Sequence, residues 1–146
     1  MKRILCAVDG SPASDAVVAA AVEIAKATGG RIRLLQVFTT VPELPPTGLL
    51  RVPIAPSSTD ILRRIREELR DLELSIPEEL REGVVVKTGG AADTICREAK
   101  EYDADLVVIG AHRYGKLARA LGTNAAKVVN SLDRPVLVVR PLRRRE

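Results

Sequence analysis

The sequence predicts an α/β fold, a single three-layer, doubly wound domain built on a five-stranded parallel sheet and spanning residues 1–146. Three observations carry that expectation. Short aliphatic runs recur along the chain, and they are continuous rather than alternating, as in strands buried on both faces. Segments with helical apolar spacing separate them, which makes βαβ units with right-handed crossovers. Aromatic residues are only 2% of the 146, so the core is assembled from Val, Ile, Leu and Ala, a composition suited to parallel strands covered by helices.

Ile4-Leu5-Cys6-Ala7-Val8 is the first strand, ended by Asp9-Gly10-Ser11-Pro12. Ser11 suits an N-cap and Pro12 a first helical position. The helix that follows carries Val17, Ala20, Ala21, Ile24 and Ala27 on one stripe, and Gly29-Gly30 stops it. Arg31 to Phe38 is the second strand. From Thr39 to Ser58 five prolines exclude a regular helix or central strand, leaving one long loop of the kind that often serves as a lid or binding element.

Ser58-Thr59-Asp60 caps a second helix with Ile61, Leu62, Ile65, Leu69 and Leu72 on one face and charges opposite. Gly83 to Lys87 is the third strand, and Thr88-Gly89-Gly90 turns into a helix packing Ala92, Ile95, Cys96 and Ala99. Asp105 to Ile109 is the fourth strand. After the loop that begins at Gly110, Thr123 to Leu132 presents Ala125, Ala126, Val128, Val129 and Leu132. Pro135 to Val139 completes the set as the fifth strand.

Composition bounds the partners. The formal charge of +4 owes much to Arg143-Arg144-Arg145 in the basic tail 143–146, so the remainder is close to neutral. The scarcity of aromatics argues against a stacking platform for nucleic acid. Cys6 and Cys96 sit in apolar patterns without the companions a metal or redox motif requires, and both are expected to be buried and reduced. No apolar segment has the length of a signal peptide or membrane span, so a cytoplasmic protein with no membrane contact is expected.

In a doubly wound sheet, ligands bind beyond the carboxyl ends of the strands, where neighbouring connections leave in opposite directions. The loops after the first and fourth strands are the candidates, since both hold Gly and polar residues. Asp9 has two readings: a hydrogen-bond acceptor for an adenine amino group or ribose hydroxyl, or an Asx-turn holding the Gly10-Ser11 bend. Gly122-Thr123-Asn124 likewise reads as a phosphate cradle at a helix N-terminus or as an ordinary cap.

Two better-known nucleotide motifs are disfavoured. Gly110-Ala111-His112-Arg113-Tyr114-Gly115-Lys116 begins like a P-loop, but Leu117 stands where Ser or Thr must hold Mg²⁺. The dinucleotide fingerprint is missing after the first strand, where Gly10 stands alone. His112 is the only histidine, and no nucleophile with its own base accompanies it, so no catalytic residue is named.

Taken together, Ile4 to Ser11, Gly89 leading into Ile95 and Ala99, Ala104 to Gly110, and Pro135 to Val139 resemble the universal stress protein family. The likeness spans almost the whole chain in the right order. It implies a Rossmann-like sheet in the order 3-2-1-4-5, a homodimer, and a role as a stress-response regulator that binds ATP, with any Mg²⁺ left open. Carried onto this chain, Ala7, Val8 and Asp9 would meet adenine and ribose, and the Val37 backbone would meet the adenine edge. Ile109, Gly110, Gly122, Thr123 and Asn124 would line the phosphate side.

The chain departs from the family's loop pattern, GxxGx9G[ST]. Arg113 stands where the second Gly belongs, and the run to Gly122 is one residue shorter. Arg in a left-handed conformation costs roughly 1–2 kcal/mol, while its charge, with that of Lys116, suits phosphates. Binding of ATP and a nucleotide-free interaction module are therefore both expected readings, and an enzyme no faster than a slow ATPase is a third. The homodimer has its own physical basis: an apolar edge strand Val136–Val139 invites pairing unless a partner covers it.

Overall fold

A computed structural model describes residues 2–39, 58–111 and 121–140. The Pro-rich stretch 40–57, the segment 112–120 with Arg113, and the basic tail lie outside the described residues. Among the described residues the elements are, in order, β1 (Arg3–Val8), α1 (Ser14–Thr28), β2 (Arg31–Phe38), α2 (Ser58–Glu73), a 3-10 turn (Glu78–Leu80), β3 (Arg81–Thr88), α3 (Ala91–Glu101), β4 (Leu106–Gly110), α4 (Thr123–Ser131) and β5 (Val136–Val139). The five strands form one parallel sheet in the order β3-β2-β1-β4-β5.

Alternation along the central strands builds two cores. Ile4, Cys6 and Val8 of β1 face a layer with Val17, Ala21 and Ala25 of α1 and Leu69 of α2. Leu5 and Ala7 face the opposite layer with Ile95 and Ala99 of α3 and Val128 of α4. Ile4, Leu5, Leu34, Leu35, Val107 and Val108 are fully buried. Each such side chain contributes about 1.5–3 kcal/mol of transfer free energy, which is why the continuous apolar runs lie in the middle of the sheet.

Several boundaries differ from the sequence reading. α1 begins at Ser14, not at Pro12, because the Asp9 carboxylate accepts the Ser11 N–H (2.9 Å) and Ser14 N–H donates to the Ser11 carbonyl (3.0 Å), making a turn before the helix. Its buried stripe runs through Val17, Val18, Ala21 and Ala25, and Ala27 is exposed. β3 starts two residues before Gly83, which instead sits inside the strand at φ 97°, where the register against β2 shifts. A left-handed residue at a bulge is what Gly supplies there. Cys96 is half-exposed rather than buried, lying at the rim of the face α3 turns inward. Cys6 is buried as expected, and burial pushes its thiol up to about 12.

Charged side chains fasten the amino edge of the sheet. Asp105, just before β4, accepts the N–H groups of Lys2 (2.8 Å) and Arg3 (2.9 Å), locking β1 beside β4. Arg134 donates to the carbonyls of Ala99 (2.9 Å), in the last turn of α3, and Ala104 (3.1 Å), between α3 and β4. The Arg33 guanidinium lies 4.1 Å from the centroid of the buried Tyr102 ring and 3.6 Å from the Glu98 carboxylate, and the Tyr102 hydroxyl donates to Glu82.

The two-sided burial predicts that Leu35→Ala lowers stability by about 2–5 kcal/mol, read from urea unfolding. A pH effect follows from Asp105. The backbone N–H groups of Arg3 and Lys2 hold its carboxyl below the ordinary carboxylate value of 3.8. A depressed folded pKa adds stability that is present above the unfolded value and lost as pH falls through the folded one. Asp105→Asn should therefore be less stable than the parent at neutral pH, with the gap closing in acid below 3.8. Urea midpoints measured across that range test this, and a gap constant with pH would remove the charge from the account.

Candidate functional site

β1 and β4 are neighbours, yet their outgoing connections diverge. The one from β1 reaches α1, which packs on one face, while α4 after β4 packs on the other. A crevice has to open between them at the carboxyl edge. It is a cavity of about 340 Å³.

Nine of the ten residues expected from the sequence lie together in its wall: Ala7, Val8 and Asp9 from the end of β1, Val37 from β2, Ile109 and Gly110 from β4, and Gly122, Thr123 and Asn124 from the start of α4. Arg113 lies outside the described residues. The sequence reading missed Ser11, Ala13, Ser14 and Val17 of the α1 side, Ala91 and Ile95 of α3, and Ala125 and Val128 of α4. A signal for Ala91 was available: in a parallel sheet every strand ends at the same edge, so Gly89-Gly90-Ala91 after β3 opens there too.

Of the two readings of Asp9, the turn is realised. Its Oδ1 accepts the Ser11 N–H at 2.9 Å and the Ser14 hydroxyl at 3.4 Å, so the side chain orients the β1–α1 turn while standing in the cavity wall. Gly10 follows at φ 77°, and a Cβ there would meet the Gln36 side-chain nitrogen at 3.1 Å. The left-handed bend with close approach requires Gly.

The electrostatics come from helix ends. α4 starts at Thr123 behind Gly122, and no side chain caps it. The N–H groups of its first turn lack helical acceptors and carry the positive end of the helix dipole. α1 and α3 also start without a side-chain cap, and Ser14 and Ala91 bring those two ends to the same cavity. Gly122 N–H donates to the Ala111 carbonyl at 2.9 Å, tying the start of α4 to the end of β4.

Three helix ends favouring negative charge thus face an apolar wall of Ala7, Val37, Ile95, Ile109 and Val128. Such a cavity can bury a flat apolar group and hold an anion beside it. Asp9 is the one ionisable side chain among the described lining residues. No cluster of three His, Cys, Asp or Glu side chains suited to a metal occurs among the described residues. No helix among them is long and apolar enough to cross a membrane.

Comparison with known proteins agrees with this arrangement. Residues 1–140 match the universal stress protein family. Universal stress protein A of Escherichia coli K12 is 31% identical over 150 residues, covering 99% of this chain and 97% of that protein. The Yersinia pestis protein of the same name is 31% identical over 147 residues, covering 97% and 93%. Among solved structures, a universal stress protein in complex with cAMP superposes with TM-score 0.67 at 21% identity, covering 95% of this chain and 96% of that one. UspA from Lactobacillus plantarum gives 0.69 at 23% identity, covering 95% and 97%. A hypothetical protein whose biochemical function was assigned from its structure gives 0.76 at 15% identity, covering 98% of each chain. With the strand order, the crevice at the switch point and these matches agreeing over nearly the whole length, the chain belongs to the universal stress protein family.

Proposed function

We propose that the chain is a cytoplasmic, homodimeric stress-response regulator that binds an adenine nucleotide, ATP, in the cavity between β1 and β4. The observation that carries this reading is the pairing of an apolar wall with three uncapped helix ends in one crevice. Adenine fits between the side chains of Ala7, Val37 and Ile109, with Val8 and the Val37 backbone along its edge. Asp9 meets the ribose hydroxyls, held in place by Ser11 and Ser14. The phosphates lie toward Gly110 and the amides of Gly122, Thr123 and Asn124, where the α4 dipole favours them. The cAMP held by a structural neighbour supports the same class of ligand.

The role is binding rather than turnover, because Asp9 is already committed to the turn and no second carboxylate or histidine stands beside it among the described lining residues.

Dimerisation is proposed through β5, which pairs only with β4 among the described strands. The Pro135 and Val139 carbonyls accept from Val107 and Ala111 of β4. In a parallel strand the intervening residues Val136 and Val138 turn their backbone groups the other way, toward an open edge. Val136 to Val139 are half-buried. An apolar edge of this kind is what a second copy would cover.

Calorimetric titration with ATP should show saturable binding. Asp9→Ala, which frees the turn, and Gly122→Asp, which sets a carboxylate at the α4 end, should each weaken it by about tenfold or more, about 1.4 kcal/mol. Absence of heat with the parent, together with no nucleotide released on heat denaturation, would favour the nucleotide-free interaction module. Light scattering should find a dimer, and Val138→Pro, which removes an outward N–H while sparing the ladder to β4, should shift it to monomer. A parent protein that is monomeric at working concentration would end the edge-strand proposal.

A further inference from the structure

The cavity between β1 and β4 brings the starts of three helices together, yet Asp9 is the one ionisable side chain among its described lining residues. A helix end carries roughly half an elementary charge. A polyphosphate lying beside the Asp9 carboxylate calls for more positive charge than that, and an arginine supplies it with paired donors. β5 is next to β4 in the sheet, about 4.8 Å away, and ends at the same edge. The residue that follows it is Arg140, which is exposed.

Two backbone hydrogen bonds fix where Arg140 stands. Gly110 of the cavity wall is in register with Val139 of β5. The Val139 carbonyl accepts the Ala111 N–H at 2.9 Å, and the Ala111 carbonyl accepts the Gly122 N–H at 2.9 Å. The peptide joining Val139 to Arg140 is therefore tied to the same residue that ties down the start of α4. Because α4 is the crossover from β4 to β5, its first turn stands at the carboxyl ends of those two strands. Side chains alternate along β5: Leu137 and Val139 pack toward α1, Val136 and Val138 toward α3 and α4. The next step in that alternation puts position 140 on the α4 side, where Gly122, Thr123 and Asn124 line the cavity. We infer that Arg140 is a phosphate-binding residue of the nucleotide site, reaching from the end of β5 to the phosphate farthest from the ribose. The inference rests on the nucleotide reading of that cavity. Along the sheet edge, Asp9 at β1, Gly110 at β4 and Arg140 after β5 follow the order of ribose, inner phosphate and outer phosphate. Arg140 thereby sets specificity: base and ribose bind without it, and its guanidinium favours a polyphosphate over a nucleoside.

Calorimetric titration of the full chain with ATP and, separately, with adenosine tests this. Arg140→Gln should weaken ATP binding by about tenfold or more and leave adenosine binding as in the parent. Its ATP affinity should also fall less steeply with potassium chloride, since one screened contact is gone. Arg140→Lys keeps the charge without the paired donors and should lie between the two. Lys26→Gln removes the same charge from the last turn of α1, at the amino edge, and should bind ATP like the parent. Equal ATP affinity in Arg140→Gln and the parent would overturn the inference. So would equal losses for ATP and adenosine, which mark a general disturbance of the site, or a loss in Lys26→Gln as large, which marks net charge alone. A parent that binds no ATP brings down the nucleotide reading and this inference with it, a result distinct from the other three.

Discussion

Burial of β1 and β4 on both faces is the constraint from which the rest follows. Strands that must be covered twice need a layer of helices on each side, and a chain that covers both has to return each strand in the same direction. Each helix therefore starts at the carboxyl edge of the sheet, so its unpaired N–H groups gather there as well. The crevice between β1 and β4 is where that gathering coincides with a gap between the layers. Binding capacity is thus a by-product of how the core is buried, before any particular polar side chain is considered.

Within that geometry the individual residues have limited and separate tasks. Asp9 shapes the turn through Ser11 and Ser14, and Gly10 lets the turn approach β2. Gly122 ends the excursion from β4 and lets α4 begin without a side chain over its first amides. At the opposite edge Asp105 and Arg134 hold the strand and helix ends together.

All five strands and the doubly wound layering could be read from the sequence because continuous aliphatic runs have few alternatives once they are separated by helical spacing. The strand order and the expectation of a nucleotide came from a family likeness, since periodicity says which residues are buried but not which strands are neighbours. Local hydrogen bonding was the harder part. Whether Ser11 caps a helix or sits in an Asx-turn depends on where the Asp9 carboxylate points, and both outcomes use the same residue types. Gly83 was read as a strand boundary because a bulge and a turn share the same glycine signature. Cys96 showed the limit of stripe counting: a small residue at the rim of an apolar face is half-covered. Val17 and Ile95 reach the crevice from helix interiors, where an apolar residue at helical spacing carries no sign that it also lines a cavity.

The hydrogen bond from Gly122 to Ala111 has a consequence for how such a protein diversifies. It fixes the start of α4 against the end of β4, and the entropic cost of changing a loop's length grows only logarithmically. The intervening stretch can lose or gain a residue, or exchange glycine for arginine, while the last helix stays in register with the sheet. Natural variation in that stretch would then retune selectivity like an interchangeable cassette, with the architecture around it inherited intact.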